Sequence, residues 1–227
     1  MFNSKFFSLA FLVIAMSQVA LAHMEMKFPY PRHSQFSPYY KKNQPDWDLA
    51  SPLGLARRYG GTRTYPCHGW PKGPNQYVAQ AGKSIPVEIT GPNTHKGGHC
   101  QFALSYDNGK NFVVLKDVFY GCLTSSGKKF SITIPSSAPP TKHAVFAWTW
   151  INAQGIREYY MGCSDIEITG GKKGGSLTGK ELLVANVKGK PTVGEFYYKW
   201  NDDGMSLFNK RKTLVVNANG SVKKRSI

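Results

Sequence analysis

In the stretch ALAHMEM, Ala20 to Met26, a histidine follows a small-x-small triplet that closes an apolar run. If the bond after Ala22 is cut, His23 gains a second nitrogen donor, its own α-amine, beside its ring Nδ1. The two nitrogens close a six-membered chelate on one metal ion. A third nitrogen from another histidine would complete a planar, T-shaped set. Such a set suits Cu(II), which favours tetragonal N,O geometry and stands highest in the divalent affinity order. The amine binds only when neutral. Its ordinary pKa is about 7.7–8, and copper can displace that proton near neutral pH.

The partner imidazole has five candidates: His33, His68, His95, His99 and His143. His95 and His99 lie in THKGGHCQ, a glycine-containing loop that enters a hairpin. Glycines there allow sharp turns and close backbone approach. Cys100 adjoins His99, and a disulfide at Cys100 would anchor the base of the loop. A second group of interest is IREYYMGC, Ile156 to Cys163. Strand alternation puts Glu158 and Tyr160 on one face and Arg157, Tyr159 and Met161 on the other. The phenol of Tyr160 could fill a weak axial position on a metal. The carboxylate of Glu158 could hydrogen-bond a bound oxygen species or water. The plainer alternative is a core tyrosine and a surface glutamate.

These groups need a frame that brings the chain start, one loop and one strand together. Residues 1–22 read as a secretory signal peptide: Lys5, the apolar run Phe6 to Ala22, then A-x-A. The run is too short for a spanning helix, and Ser17 and Gln18 interrupt it. A secreted, extracellular chain with no membrane partner is therefore expected. From His23 to about Tyr77 the sequence reads as long loops with one short strand or helical turn. Beyond Lys83, β signals dominate. SIPVEIT, KFSITIP, AVFAWTWIN and REYYMGCSDIEIT read as strands, and Asn108-Gly109 marks a hairpin turn inside QFALSYDNGKNFVVL. Short strands separated by turns predict an all-β fold, an antiparallel β-sandwich with long loops and a C-terminal extension. The expected division is 23–170 sandwich, 171–180 Gly/Lys linker, 181–218 β extension with strands at ELLVANV and KTLVVNA, and 219–227 basic disordered tail. Asn219-Gly220-Ser221 is a glycosylation sequon.

Four cysteines, Cys67, Cys100, Cys122 and Cys163, form no C-x-x-C pair, which argues against zinc and for two disulfides in an oxidising compartment. Spacing leaves three pairings open. The formal net charge of +16 suits anionic wall or matrix polymers for a secreted protein rather than nucleic acid, and it weighs against a strongly cationic substrate.

Taken together, the start HMEMKFP, the loop THKGGHCQFALSYDNGK and the pair AWTWIN…GIREYYMGC resemble the lytic polysaccharide monooxygenases of fungi, closest to the chitin-active group called auxiliary activity family eleven. The resemblance covers His23 to about Gly170. It implies His23 and His95 as the histidine brace on one copper ion, Tyr160 as the axial tyrosine and Glu158 as the glutamate beside it. It also implies disulfides Cys67–Cys163 and Cys100–Cys122, and an immunoglobulin- or fibronectin-like sandwich. The implied activity is oxidative cleavage of a β-1,4-linked polysaccharide, with chitin favoured, by a monomer using an external reductant and O2 or H2O2. His99 stands where the family motif usually has Ser, and it could bind a second ion or tune the site. Asn93 and Thr94 precede His95 where small or apolar residues are usual. Lys41 to Arg63 reads as a basic insertion, and Tyr39, Trp47, Tyr59 and Trp70 could stack on sugar rings. The competing readings are a non-catalytic copper-binding protein and a metal-free wall-binding module on the same scaffold. Glycoside hydrolysis is disfavoured because paired carboxylates are lacking.

Overall fold

Alternating apolar residues organise the sandwich into two packed sheets. In the computed structural model, which describes residues 24–56, 61–198 and 202–225, the smaller sheet has the order β1-β3-β6. Its strands are β1 (Glu25–Phe28), β3 (Ser84–Thr90) and β6 (Lys129–Thr133). The larger sheet has the order β2-β8-β7-β4-β5. It comprises β2 (Tyr77–Gln80), β4 (Gly98–Ser105), β5 (Val113–Val118), β7 (Thr141–Asn152) and β8 (Tyr159–Thr169). All pairings are antiparallel except β2 with β8. The fold is the β-sandwich expected from the strand pattern.

Between the sheets lies one apolar cluster. It holds Met24, Met26, Val87, Ile89 and Ile132 from the small sheet, and Phe102, Trp148, Trp150, Tyr160 and Ile166 from the large one. The outer face of the large sheet is also covered. Ala103, Val145, Ala147, Ile151, Tyr159 and Met161 pack there against Leu53 and Cys67 of the N-terminal loops and Leu182, Leu183, Phe196 and Phe208 of the C-terminal extension. Every residue of β4 is buried for this reason. A sandwich sheet normally shows one face to water; here loops and extension close it.

Both disulfides occur in the pairing implied by the resemblance, Cys67–Cys163 and Cys100–Cys122. The first ties the N-terminal loops to β8. The second ties β4 to the segment after β5. Their sequence separations are 96 and 22 residues; by loop-closure entropy the longer loop gives the larger stabilisation, each on the order of 2–5 kcal/mol.

The C-terminal half differs from expectation in three places. Within 171–180, read as a linker, Ser176–Lys180 forms β9. Within 219–227, read as disordered, Val222–Arg225 forms β11, paired to β10 (Thr213–Asn217) across the Asn219-Gly220 turn. The three make a sheet of order β11-β10-β9 whose Leu177, Leu214 and Val216 join the central cluster. Conversely, ELLVANV forms no strand. Its Leu183 is held by the side-chain amide of Gln101, which accepts from Leu183 N–H (2.9 Å) and donates to Leu183 O (2.8 Å). A side chain, not a neighbouring strand, satisfies that backbone. Glycosylation at Asn219 has an exposed residue at a hairpin turn to act on. The signal segment 1–22, His23 and Tyr59 lie outside the described residues.

Candidate metal centre

The loop between β3 and β4 turns back on itself over a few residues. His95 and Lys96 both have positive φ (46° and 61°). His95 N–H donates to Asn93 Oδ1 (3.0 Å), and Gly97 N–H donates to Thr94 O (2.7 Å). The Asn93 side chain, a departure from the family pattern, therefore builds the turn that presents His95. Gly98, at φ 141°, lies against the carbonyl of Ile151 and the indole of Trp150, so a side chain there would collide with both. Opposite, Gln154 N–H and Ala153 N–H donate to His95 O (3.2 Å) and Gly97 O (3.0 Å). Gly155 passes so close that a Cβ would sit 3.1 Å from His95 Nδ1.

That opposing turn, 152–158, is held by two side chains. Asn152 Nδ2 donates to Gln154 O (2.9 Å) and Ile156 O (2.7 Å), and its Oδ1 accepts from Glu158 N–H (3.2 Å). Arg157 donates to Gly155 O through Nε and Nη2 (3.1 and 2.7 Å) and to Asn152 O through Nη1 (3.0 Å). Asn152 is a positioning residue that sequence reasoning quoted without assigning a role; its signal was a polar residue closing the apolar run AWTWI.

The two turns bring three predicted residues together. Glu158 Oε2 lies 3.7 Å from His95 Nε2 and accepts a hydrogen bond of 2.7 Å from Tyr160 Oη. The Tyr160 ring is buried, 4.7 Å from that of Trp150, which in turn lies 5.8 Å from the His95 ring. Burial, with Glu158 beside it, pushes the Tyr160 phenol far up, so it stays a neutral hydroxyl. Burial also lowers the His95 pKa, against the opposing pull of Glu158. The neutral imidazole is the form that ligates a metal. His95 Nε2 is buried and has no hydrogen-bond partner among the described residues. A buried nitrogen left with a free lone pair costs stability unless something occupies it.

The first described residues, Met24 and Glu25, lie at the same end of the sandwich. β1 pairs with β3 with Glu25 opposite Thr90, and Met24 belongs to the cluster that holds Trp150 and Tyr160. Glu25 is itself buried. Burial raises its carboxyl to about 7, opposed by a hydrogen bond from Gln35 Nε2 to its Oε1 (3.0 Å). Nothing in the sequence pattern singled this residue out.

The other candidate histidines have other roles. His33 stacks on Trp70 with ring centroids 3.8 Å apart. His68 Nε2 meets Met161 O, and His143 sits near the start of β7, at the opposite end of the strand from Asn152. His99 is buried and neither of its nitrogens is free: Nδ1 accepts from Tyr120 N–H (3.0 Å) and Nε2 donates to Asp203 O (2.9 Å). Its ring stacks on Phe196 at 4.4 Å. His99 is a structural pin, not a ligand for a second ion. The aromatic candidates fare differently again. Trp70 gives Nε1–H to Asp46 and its carbonyl to Arg32, which pairs with Asp165. Asp165 is five residues along β8 from Tyr160, roughly 16 Å at strand rise, so Trp70 lies away from His95.

An AA11 family lytic polysaccharide monooxygenase A of Aspergillus fumigatus is 40% identical over 177 residues, which are 75% of this chain and 77% of the relative. The chain belongs to the AA11 family of lytic polysaccharide monooxygenases. No family model matches the AA11 chain. A second relative, an AA11 family lytic polysaccharide monooxygenase of Aspergillus oryzae, is 33% identical over 143 residues, 51% of this chain and 34% of the relative, so the AA11 chain spans about a third of its length. A crystal structure of a cellulose-active polysaccharide monooxygenase from M. thermophila is similar with a TM-score of 0.44 and 14% identity, covering 68% of this chain and 79% of that one. Enzymes of the AA11 family are copper-dependent, and one copper ion is the cofactor. Among the described residues no group of three or more His, Cys, Asp and Glu is placed to hold a metal. They fit one half of a copper site: the unpartnered nitrogen of His95, with the neutral Tyr160 hydroxyl and the Glu158 carboxylate beside it.

Proposed function

We propose that the AA11 chain is exported, cleaved after Ala22, and acts as a monomer that oxidatively cleaves chitin, a β-1,4-linked polysaccharide. The observation that carries this reading is the buried, unpartnered Nε2 of His95 beside the Glu158–Tyr160 pair, at the end of the sandwich where β1 begins. β1 runs antiparallel to β3 and begins at Glu25 opposite Thr90, the end of β3 from which the loop carrying His95 leaves. The α-amine and ring Nδ1 of a processed His23 would join His95 Nε2 as the three nitrogen ligands. Bound copper supplies the one-electron chemistry that lets a reductant and O2 or H2O2 oxidise a sugar C–H bond.

The surrounding residues have separable tasks. Neutral His95 offers its lone pair without first losing a proton. Gly155 leaves room for the imidazole, and Asn93 and Gln154 fix its backbone. Tyr160 would offer the metal a neutral oxygen, and its hydroxyl donates to one oxygen of Glu158. The Glu158 carboxylate, whose Oε2 lies 3.7 Å from His95 Nε2, would be placed to accept or return a proton next to the metal. The disulfides agree with passage through an oxidising compartment.

Mass spectrometry of the exported chain should show His23 as its first residue, and calorimetry should show one copper per chain. His95→Ala should weaken copper binding by more than the roughly 100-fold that loss of a ligand's hydrogen-bond partner costs. A single residue added before His23 should do the same. Copper affinity unchanged in both would refute the brace. Oxidised oligosaccharides from β-chitin with ascorbate complete the test; copper binding without product on any polysaccharide would make this a copper-binding protein only.

A further inference from the structure

Beside His95 lies a cavity of about 500 Å3 lined by Asn93, Thr94, His95, Gln154, Gly155 and Glu195. Glu195 belongs to the C-terminal extension, not to the sandwich. Two residues further on, Tyr197 and Tyr198 form an edge-to-face pair with centroids 4.5 Å apart. They are 39% and 69% exposed.

The backbone leading to these rings is pinned at residues 194–197. Phe196 and Tyr197 N–H both donate to Ala153 O (3.0 and 3.2 Å). Arg157 Nη1, which holds the 152–158 turn, also donates to Gly194 O (2.7 Å). The Phe196 side chain is buried on His99, whose Nε2–H is taken by Asp203 O. Tyr120 Oη donates to Asp203 Oδ2 (2.8 Å). The same turn that positions Glu158 thus fixes residues 194–197 of the extension relative to His95.

From this placement we infer that the extension builds a sugar-binding subsite onto the copper face, with Tyr197 and Tyr198 as its stacking platform and Glu195 as a hydrogen-bond acceptor. The inference rests on the polysaccharide-oxidising reading. Pyranose rings present C–H faces that pack on aromatic rings and equatorial polar groups that hydrogen-bond at their edges. The cavity supplies the matching groups: the amides of Asn93 and Gln154, the hydroxyl of Thr94 and the carboxylate of Glu195. Its charge is balanced, since Glu195 is matched by Lys96 among the lining residues. That favours a neutral polysaccharide over the anionic polymers that the net charge of +16 would otherwise attract. Exposed aromatics on an ordered backbone lose little entropy on binding, which is how a solid polymer surface is best met.

The test compares copper-loaded wild type with the Tyr197→Ala/Tyr198→Ala double variant and with Glu195→Gln. Each is titrated onto insoluble β-chitin and onto cellulose, alongside calorimetric copper binding. The double variant should keep its copper affinity and lose retention on polysaccharide, with Kd rising roughly tenfold or more. Glu195→Gln should show a smaller loss in the same direction. Wild-type retention by the double variant would overturn the inference. In wild type, nitration of Tyr197 and Tyr198 should be slowed by soluble chitin oligosaccharides; equal rates with and without sugar would also overturn it, whatever the variant's stability. A wild type that holds no copper or yields no oxidised product sinks the proposed function instead. A wild type that oxidises chitin while the variant binds it equally well sinks only the subsite.

Discussion

His95 and His99 are four residues apart in one loop, and the chemistry of each is set by what reaches its ring. His95 keeps Nε2 without a partner, facing Glu158 and Tyr160. His99 has both nitrogens engaged and a phenyl ring stacked on it. Burial depresses the His99 pKa to about 4 from 6.5. The unfolded chain therefore takes up this proton first as pH falls. The contribution of neutral His99 is complete above pH 6.5 and is lost as pH drops towards 4, on the order of 3 kcal/mol across that window. Urea midpoints measured from pH 7 to pH 4 should fall for wild type. They should fall less in His99→Gln, which has no group titrating there. Parallel curves would show that protonation of His99 does not drive the loss.

At the scale of elements, two turns make the site, and each is stabilised by side chains outside the copper ligand set. Asn152 satisfies three backbone groups of the 152–158 turn from a fully buried position. Asn152→Ala removes all three bonds and strands buried polar groups, a loss of about 1–3 kcal/mol. It should also release Glu158, so copper spectra should broaden even where the fold persists. The Cys100–Cys122 disulfide closes the segment that receives the His95 loop: Gly98 N–H donates to Tyr120 O (2.7 Å) and Cys122 N–H to Gly98 O (3.3 Å). Cys100→Ser with Cys122→Ser should lower stability by about 3 kcal/mol, read as a lower Tm. Gln101 presents the same logic on the outer face, where its amide serves as a one-residue strand for Leu183.

Across the whole molecule, the extension is part of the sandwich rather than an appendage. Arg211 is buried and bonds Asp117 through two nitrogens (3.0 and 2.8 Å), Gln101 Oε1 (3.1 Å) and Phe208 O (2.9 Å). With Leu182, Leu183, Phe196 and Phe208 it covers the outer face of β4 and β7. A chain ended at residue 175 would expose that apolar face and leave Asp117 without its cation. It should aggregate on expression or melt well below the intact protein, by light scattering and calorimetry. An equal Tm would mean that the extension adds no stability. The net charge of +16 acts at this scale too: retention on an anionic resin should fall steeply with salt, while retention on neutral chitin should not.

Strand positions were legible because half-buried strands must alternate, and the sandwich followed from their number. Glu158 and Tyr160 two residues apart, THKGGHCQ, and the cysteine count all stood in the sequence as well. Their significance came from the resemblance, since one histidine or one tyrosine has the same local pattern whether it packs or ligates. The resemblance already set His95 above His99, but only tertiary structure gave the physical reason, because Tyr120 and Asp203, far along the chain, occupy both nitrogens of His99. It also turned a supposed linker and tail into β9 and β11, whose weak local signals are outweighed by pairing with β10. The last such decision sets Glu195 beside His95 and the backbone of Tyr197 on Ala153: no local period records it, because it rests on hydrogen bonds between the 152–158 turn and a segment some forty residues later.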